Sequence, residues 1–214
     1  MRKNEFIVFG MVILSFVISI GLYSSMPERM ASPWNATGDV SEYRSTFWGV
    51  FLIPLFSLGV FFLFRTLPKI DELRENIDTF RKYFDGFGIA VVALLLYIHI
   101  LSLSWNMGMH FSTARMSAPI FAVFVYSFGK LLGGTKVNGL IGIRTPWTLS
   151  SEAIWYQTHQ LGEQLFKVAG LITVLGFFIK TYTTLFIVAP SIVVSVFLVV
   201  YSYMLYCDEK EVNA

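Results

Sequence analysis

The residues able to do chemistry gather in residues 130–166, KLLGGTKVNGLIGIRTPWTLSSEAIWYQTHQLGEQLF. Lys136, Arg144, Glu152, His159 and Glu163 stand there between two apolar runs, together with Trp147 and Trp155. On a helix that starts near Ser151, Glu152, Trp155 or Tyr156, His159 and Glu163 recur at three- and four-residue spacing and share a face. A carboxylate at each end of that stripe can orient an imidazole or raise its pKa for proton transfer. Arg144 has the planar fork that grips a carboxylate or an anionic headgroup in two places. The same spacing also describes a helix entering a membrane with its polar residues and Trp/Tyr belt at headgroup level. From spacing alone that plainer reading is favoured.

The local sequence says how these side chains are positioned. Glycines 133, 134, 139 and 142 loosen the first half of the stretch, where a residue without Cβ can take positive φ or approach a partner closely. Pro146 lacks an amide hydrogen and biases Thr145 away from helix. Ser150 or Ser151 can then cap a helix whose first turn carries Glu152, favourable beside the helix's positive end.

Elsewhere the signals are thinner. His99 sits in the middle of an apolar run, where an ionisable group is a functional suspect, although a histidine satisfied by a facing helix is the favoured reading. His110 lies in a loop with Trp105, Asn106 and Arg115. The loop 24–46 carries Pro27, Pro33, Trp34, Asn35, Gly38 and Asp39, turn chemistry that predicts a compact loop. Asp39 and Glu42 offer too few oxygens for a hard cation, which wants about six. No Gly-rich phosphate loop, HExxH, GxSxG or paired-Cys motif occurs, and the single Cys207 excludes an internal disulfide framework and a Cys-rich zinc site. No metal and no cofactor is expected, and a net charge of +2 does not suggest nucleic-acid binding.

Composition identifies the solvent. The chain of 214 residues is 55% hydrophobic and 14% charged, whereas ordinary globular chains carry about 25% charged residues. Lipid must surround most of it. Six apolar runs stand out: Phe6–Tyr23, Phe47–Phe64 with Pro54 inside, Phe87–Trp105, Ala118–Leu132, Phe166–Ile179 and Leu185–Tyr206. The fourth is short unless residues 111–117 extend it. The fifth is short for a span of about 20 residues and is expected to continue the capped helix before it. Neighbours can re-satisfy the carbonyl that Pro54 frees.

With six spans, one side holds Arg2, Lys3, Arg65, Lys69, Arg74, Arg81, Lys82, Lys130, Lys136, Arg144, Lys167 and Lys210, and the other only Arg29, Arg44, Arg115 and Lys180. That asymmetry predicts cytoplasmic termini, a cytoplasmic 130–166 stretch and an outside loop 24–46. Leu67, Ile70, Leu73 and Ile77 give the connector an amphipathic spacing suited to the inner leaflet. A solvated connector is the favoured reading.

The string NGLIGIRTPWTLSSEAIWYQTHQLG resembles the signature of the SdpI family of bacterial and archaeal membrane proteins. The matching positions are Asn138, Gly142, Ile143, Arg144, Thr145, Pro146, Trp147, Thr148, Leu149, Ser150, Glu152, Trp155, Thr158, His159 and Gly162. The first loop is similar to that of a small domain of unknown function that often precedes this family, through Pro27, Trp34, Asn35, Gly38 and Asp39. Pro33 stands where a histidine is common, which weakens any inherited metal or proton role. The resemblance implies toxin immunity or toxin sensing, since the family's namesake shields its host from a membrane-active killing factor and draws a small repressor to the membrane.

The expected architecture is an all-α polytopic membrane protein, a bundle of about six transmembrane helices with both termini cytoplasmic. It divides into a two-helix unit at 1–67 with outside loop 24–46, a connector at 68–86, and a four-helix unit at 87–214 carrying the signature loop 130–166. The expected function is non-enzymatic immunity against, or sensing of, a secreted peptide toxin at the cell membrane. The partners implied are the lipid bilayer, that toxin and a cytosolic repressor, with no direct nucleic-acid binding. A small transporter or channel, and a membrane enzyme using Glu152, His159 and Arg144, are the competing readings. Asn138, Arg144, Thr145, Pro146, Trp147, Glu152, Trp155 and His159 are the signature candidates, and Trp34, Asn35, Asp39 and His110 the outside-loop candidates.

Overall fold

The computed structural model describes residues 2–32, 40–69 and 78–212. Among them seven α-helices form: α1 (Lys3–Leu22), α2 (Thr46–Thr66), α3 (Arg81–Asn106), α4 (Thr113–Gly134), α5 (Pro146–Ser150), α6 (Glu152–Phe178) and α7 (Thr183–Val212). All but α5 belong to the six segments long and apolar enough to cross a membrane. The chain is an all-α polytopic membrane protein. The fourth run does gain residues before it, because Ser112 caps α4 by accepting the Arg115 amide. The fifth run is the second half of α6, continuous with the helix capped by Ser151.

Two groups of helices pack side by side. Val8, Val12, Phe61 and Val92 knit α1, α2 and α3 together. Val125, Leu132, Phe166, Ala169 and Leu198 do the same for α4, α6 and α7. Phe87 of α3 joins the groups, its ring 5.3 Å from Phe124 and 5.7 Å from Phe128 of α4. Helix α3 starts before the third apolar run, inside the expected connector, and its core side chains pack with α1, α2 and α4. The division expected at residue 87 therefore cuts through a helix. Of the connector's amphipathic positions, Ile70, Leu73 and Ile77 lie outside the described residues.

The loop between α1 and α2 adds a small antiparallel sheet, β1 (Arg29–Ala31) and β2 (Tyr43–Ser45), with Met30 opposite Arg44. Met30 and Ala31 are fully buried. Asn106, the last residue of α3, accepts the Ala31 N–H at 2.7 Å and donates to the Ala31 carbonyl at 3.2 Å. It satisfies that strand residue as a neighbouring strand would.

Inside the first group, Pro54 removes the amide that would reach the Val50 carbonyl in α2. The Ser19 hydroxyl of α1 donates to that carbonyl at 3.1 Å and also meets His99 Nε2 of α3 at 2.8 Å. His99 is fully buried, and this contact ties three helices at one level.

In the second group, small residues let backbones approach. A Cβ on Gly129 would lie 2.9 Å from Phe166 Cβ and 3.0 Å from the Glu163 carbonyl, and one on Gly170 would lie 2.9 Å from the Ala122 carbonyl. The four-residue spacing of Gly129 and Gly133 is the sequence signal of this contact.

Candidate functional site

The signature segment closes the end of the second group where α4 finishes and α6 begins. Two side chains shape its loop. Asn138, fully buried, accepts the Leu140 and Ile141 amides at 2.9 and 2.7 Å. Its amide group donates to the Lys136 and Ile141 carbonyls. A short side chain thus replaces the hydrogen bonds that a loop in the interior would otherwise lack. Gly142 then takes φ of 132°, a conformation that side chains resist. A Cβ there would sit 2.6 Å from His159 Nε2 and 2.8 Å from the Trp155 ring.

That close approach lets His159 reach the loop. Its Nε2 accepts the Ile143 N–H at 3.0 Å, and its Nδ1 lies 2.7 Å from the Trp155 carbonyl. A carbonyl only accepts, so Nδ1 carries the hydrogen and Nε2 is the free lone pair. The imidazole is neutral with both nitrogens spent on backbone. Trp155 stacks on it, centroids 4.0 Å apart, and donates its indole N–H to the Thr135 carbonyl at 3.2 Å. Gln160 donates to the Gly133 carbonyl at 2.7 Å. Helix α6 holds the loop along its length from 133 to 143.

The next turn is locked as firmly. Thr145 caps α5 by accepting the Thr148 amide, while Thr148 Oγ1 accepts the Thr145 amide, a reciprocal capping box with Pro146 in the first turn. The Thr148 hydroxyl donates to the Ile143 carbonyl at 2.7 Å. Both backbone groups of Ile143 are therefore held by signature side chains. Trp147 donates its indole N–H to Ser202 of α7 at 2.8 Å and lies edge-on to Tyr203. Ser151 caps α6 and donates to Glu209 at 2.9 Å.

The structure separates the charged candidates that spacing placed together. His159 is 1% exposed, inside the bundle, and its two nitrogen partners are backbone groups. Glu163 instead pairs with Lys167 one turn on and with Lys130 of α4 at 3.2 Å. Arg144 and Glu152 are exposed. His110 is exposed too, its ring 4.8 Å from Trp105 at the opposite end of the bundle. Trp34, Asn35 and Asp39, with Pro33 and Gly38, lie outside the described residues. Among the described residues no three His, Cys, Asp or Glu side chains converge as a metal site requires. Ser202 is the partner that reading the sequence missed. It is one of three serines, with Ser191 and Ser195, in the apolar run of α7.

Two family models match the chain. Residues 10–58 match a domain of unknown function, DUF1648, and residues 135–202 match the SdpI/YfhL protein family. The first match runs from Gly10 within α1, through the two strands, to Leu58 within α2. The second spans the strapped loop, α5, α6 and α7 as far as Ser202. The chain is 27% identical over 210 residues to the "Immunity protein SdpI" of Bacillus subtilis (strain 168), covering 96% of this chain and 97% of that protein. No solved structure matches it. With six segments long and apolar enough to cross a membrane, the chain is a multi-pass membrane protein similar to the SdpI/YfhL protein family over residues 135–202 and to the DUF1648 domain over residues 10–58.

Proposed function

We propose that this protein is a membrane immunity protein that protects its cell against a secreted membrane-active peptide, or senses that peptide. The observation that carries this reading is the similarity to Immunity protein SdpI along nearly the whole of both chains. The protein acts without catalysis: the histidine that could have moved protons spends both nitrogens on backbone. By its excess of Lys and Arg, the end bearing the termini and the strapped loop faces the cytoplasm. The hairpin end, with Arg115 and His110, then faces outside and meets the peptide.

In this reading the signature has two jobs. Asn138, Gly142, Thr145, Thr148, Trp155 and His159 build the loop. Arg144 and Glu152, exposed and making no hydrogen bond or ion pair among the described residues, are presented to a cytosolic regulator. The test is survival of cells with and without the gene when challenged with peptides secreted by the producing strain and its neighbours. Protection that follows the gene is expected. Equal survival against every such peptide rejects the reading.

A further inference from the structure

A groove of about 610 Å³ opens at the hairpin end of the second helix group, between the first turn of α4 and the 3-10 turn Lys180–Tyr182 that leads into α7. Ser112, Ala114, Lys180, Thr181, Tyr182 and Thr183 line it. Its size is that of a small-molecule site, and its character is set by charge. Residues 107–118 and 176–190 contain Arg115 and Lys180 and no Asp or Glu. Arg115 is held in place, donating from Nε to the Phe177 carbonyl at 3.1 Å with its guanidinium over the Phe177 ring. Lys180 is exposed and makes no ion pair among the described residues.

A further observation points to an anion. The amides of Thr113 and Ala114 precede the first intrahelical bond of α4, which runs from Met116 to Ser112, so the positive end of this 22-residue helix opens beside the groove. The surroundings indicate the rest of the ligand. Phe178, Tyr182 and Leu185 are 70%, 56% and 59% exposed around Lys180, a collar suited to acyl chains and the interfacial layer. A ligand that meets both needs has an anionic head and apolar tails.

We propose that this groove binds the phosphate of an anionic phospholipid, with Lys180 as its counter-ion and the tails lying against the Phe178–Leu185 collar. This site is independent of the immunity reading and of which end faces the cytoplasm. A bound lipid bridges the start of α4 and the start of α7.

The test is lipid retention by the purified full-length protein, followed by native mass spectrometry with phosphatidylglycerol, phosphatidylcholine or inorganic phosphate added. Wild type is expected to retain phosphatidylglycerol over phosphatidylcholine. Lys180→Gln is expected to weaken that retention about five-fold, the worth of one Lys near an anionic surface. Lys180→Arg keeps the charge and the lipid, and Lys136→Gln, at the other end of the bundle, leaves retention unchanged. Equal retention by Lys180→Gln and wild type overturns the proposal, as does an equal loss in Lys136→Gln. Full displacement of the lipid by inorganic phosphate also overturns it, assigning the groove to a free anion.

Discussion

The Ile143 amide donates to Nε2 of His159 across 3.0 Å, and this bond decides what the histidine is for. An acceptor nitrogen that holds a buried amide cannot also carry a proton. The residue that looks most like a catalyst is a neutral clasp between α6 and the loop in front of it.

Replacing His159 by Phe preserves the ring that stacks on Trp155 and orphans the Ile143 amide. A buried donor left without a partner costs about 1–3 kcal/mol. The expected outcome is a lower thermal midpoint in detergent, partly restored by His159→Gln, whose side-chain oxygen can accept the same amide. A Phe variant that melts with wild type shows that stacking alone holds the loop.

Gly142→Ala meets two obstacles, the φ of 132° and the His159 and Trp155 rings. The backbone strain alone costs about 1–3 kcal/mol, so this substitution is expected to destabilise more than the histidine variant. Gly86→Ala is the contrast. Nothing lies within 4 Å of its Cβ position in α3, and helix propensity there favours Ala by about 1 kcal/mol. Parallel melts of the two variants should move in opposite directions.

Ser19 and Pro54 are coupled through the Val50 carbonyl. Ser19→Ala in the wild-type chain leaves that carbonyl without its donor. In a Pro54→Ala background the new amide in α2 supplies one, and losing Ser19 costs less. The coupling in a double-mutant cycle is expected to be about 0.6–1.7 kcal/mol, the range for such bonds between membrane helices. Additive losses indicate that the serine acts only through His99.

Arg144→Ala and Glu152→Ala remove exposed side chains with no partner among the described residues. Each should change stability by no more than about 0.5 kcal/mol and leave membrane abundance unchanged. If the protein signals through this face, both variants lose the cytosolic response in the peptide-challenge assay while Asn138→Ala, which unpicks the loop, loses protein from the membrane. Normal signalling in both charge variants removes this face from the mechanism.

Spans, proline and caps were readable because each depends on neighbours in the chain. A run of apolar residues long enough for the bilayer has no other stable place. Pro54 frees a particular carbonyl wherever it sits in a helix, so a rescuing donor is implied, and the structure supplies Ser19. Ser151 before Glu152 is a helix start on local grounds, and α6 begins there. The hairpin was not readable: its strands have three residues each and are completed by Asn106, 75 positions from Ala31.

The sequence by itself determined that this chain lives in lipid, crosses it six times and carries a string resembling the SdpI signature, since composition, run length and local spacing are properties of the chain. Only the tertiary structure decided what the signature side chains touch. Spacing aligned His159 with Glu152 and Glu163 on a helix face, but a face does not name its partner. The loop of Asn138, the close approach at Gly142 and the packing of α4 on α6 brought the Ile143 amide to the imidazole and Lys130 to Glu163. Hydrogen bonds between distant residues follow from which backbones can come together, and that is settled by packing.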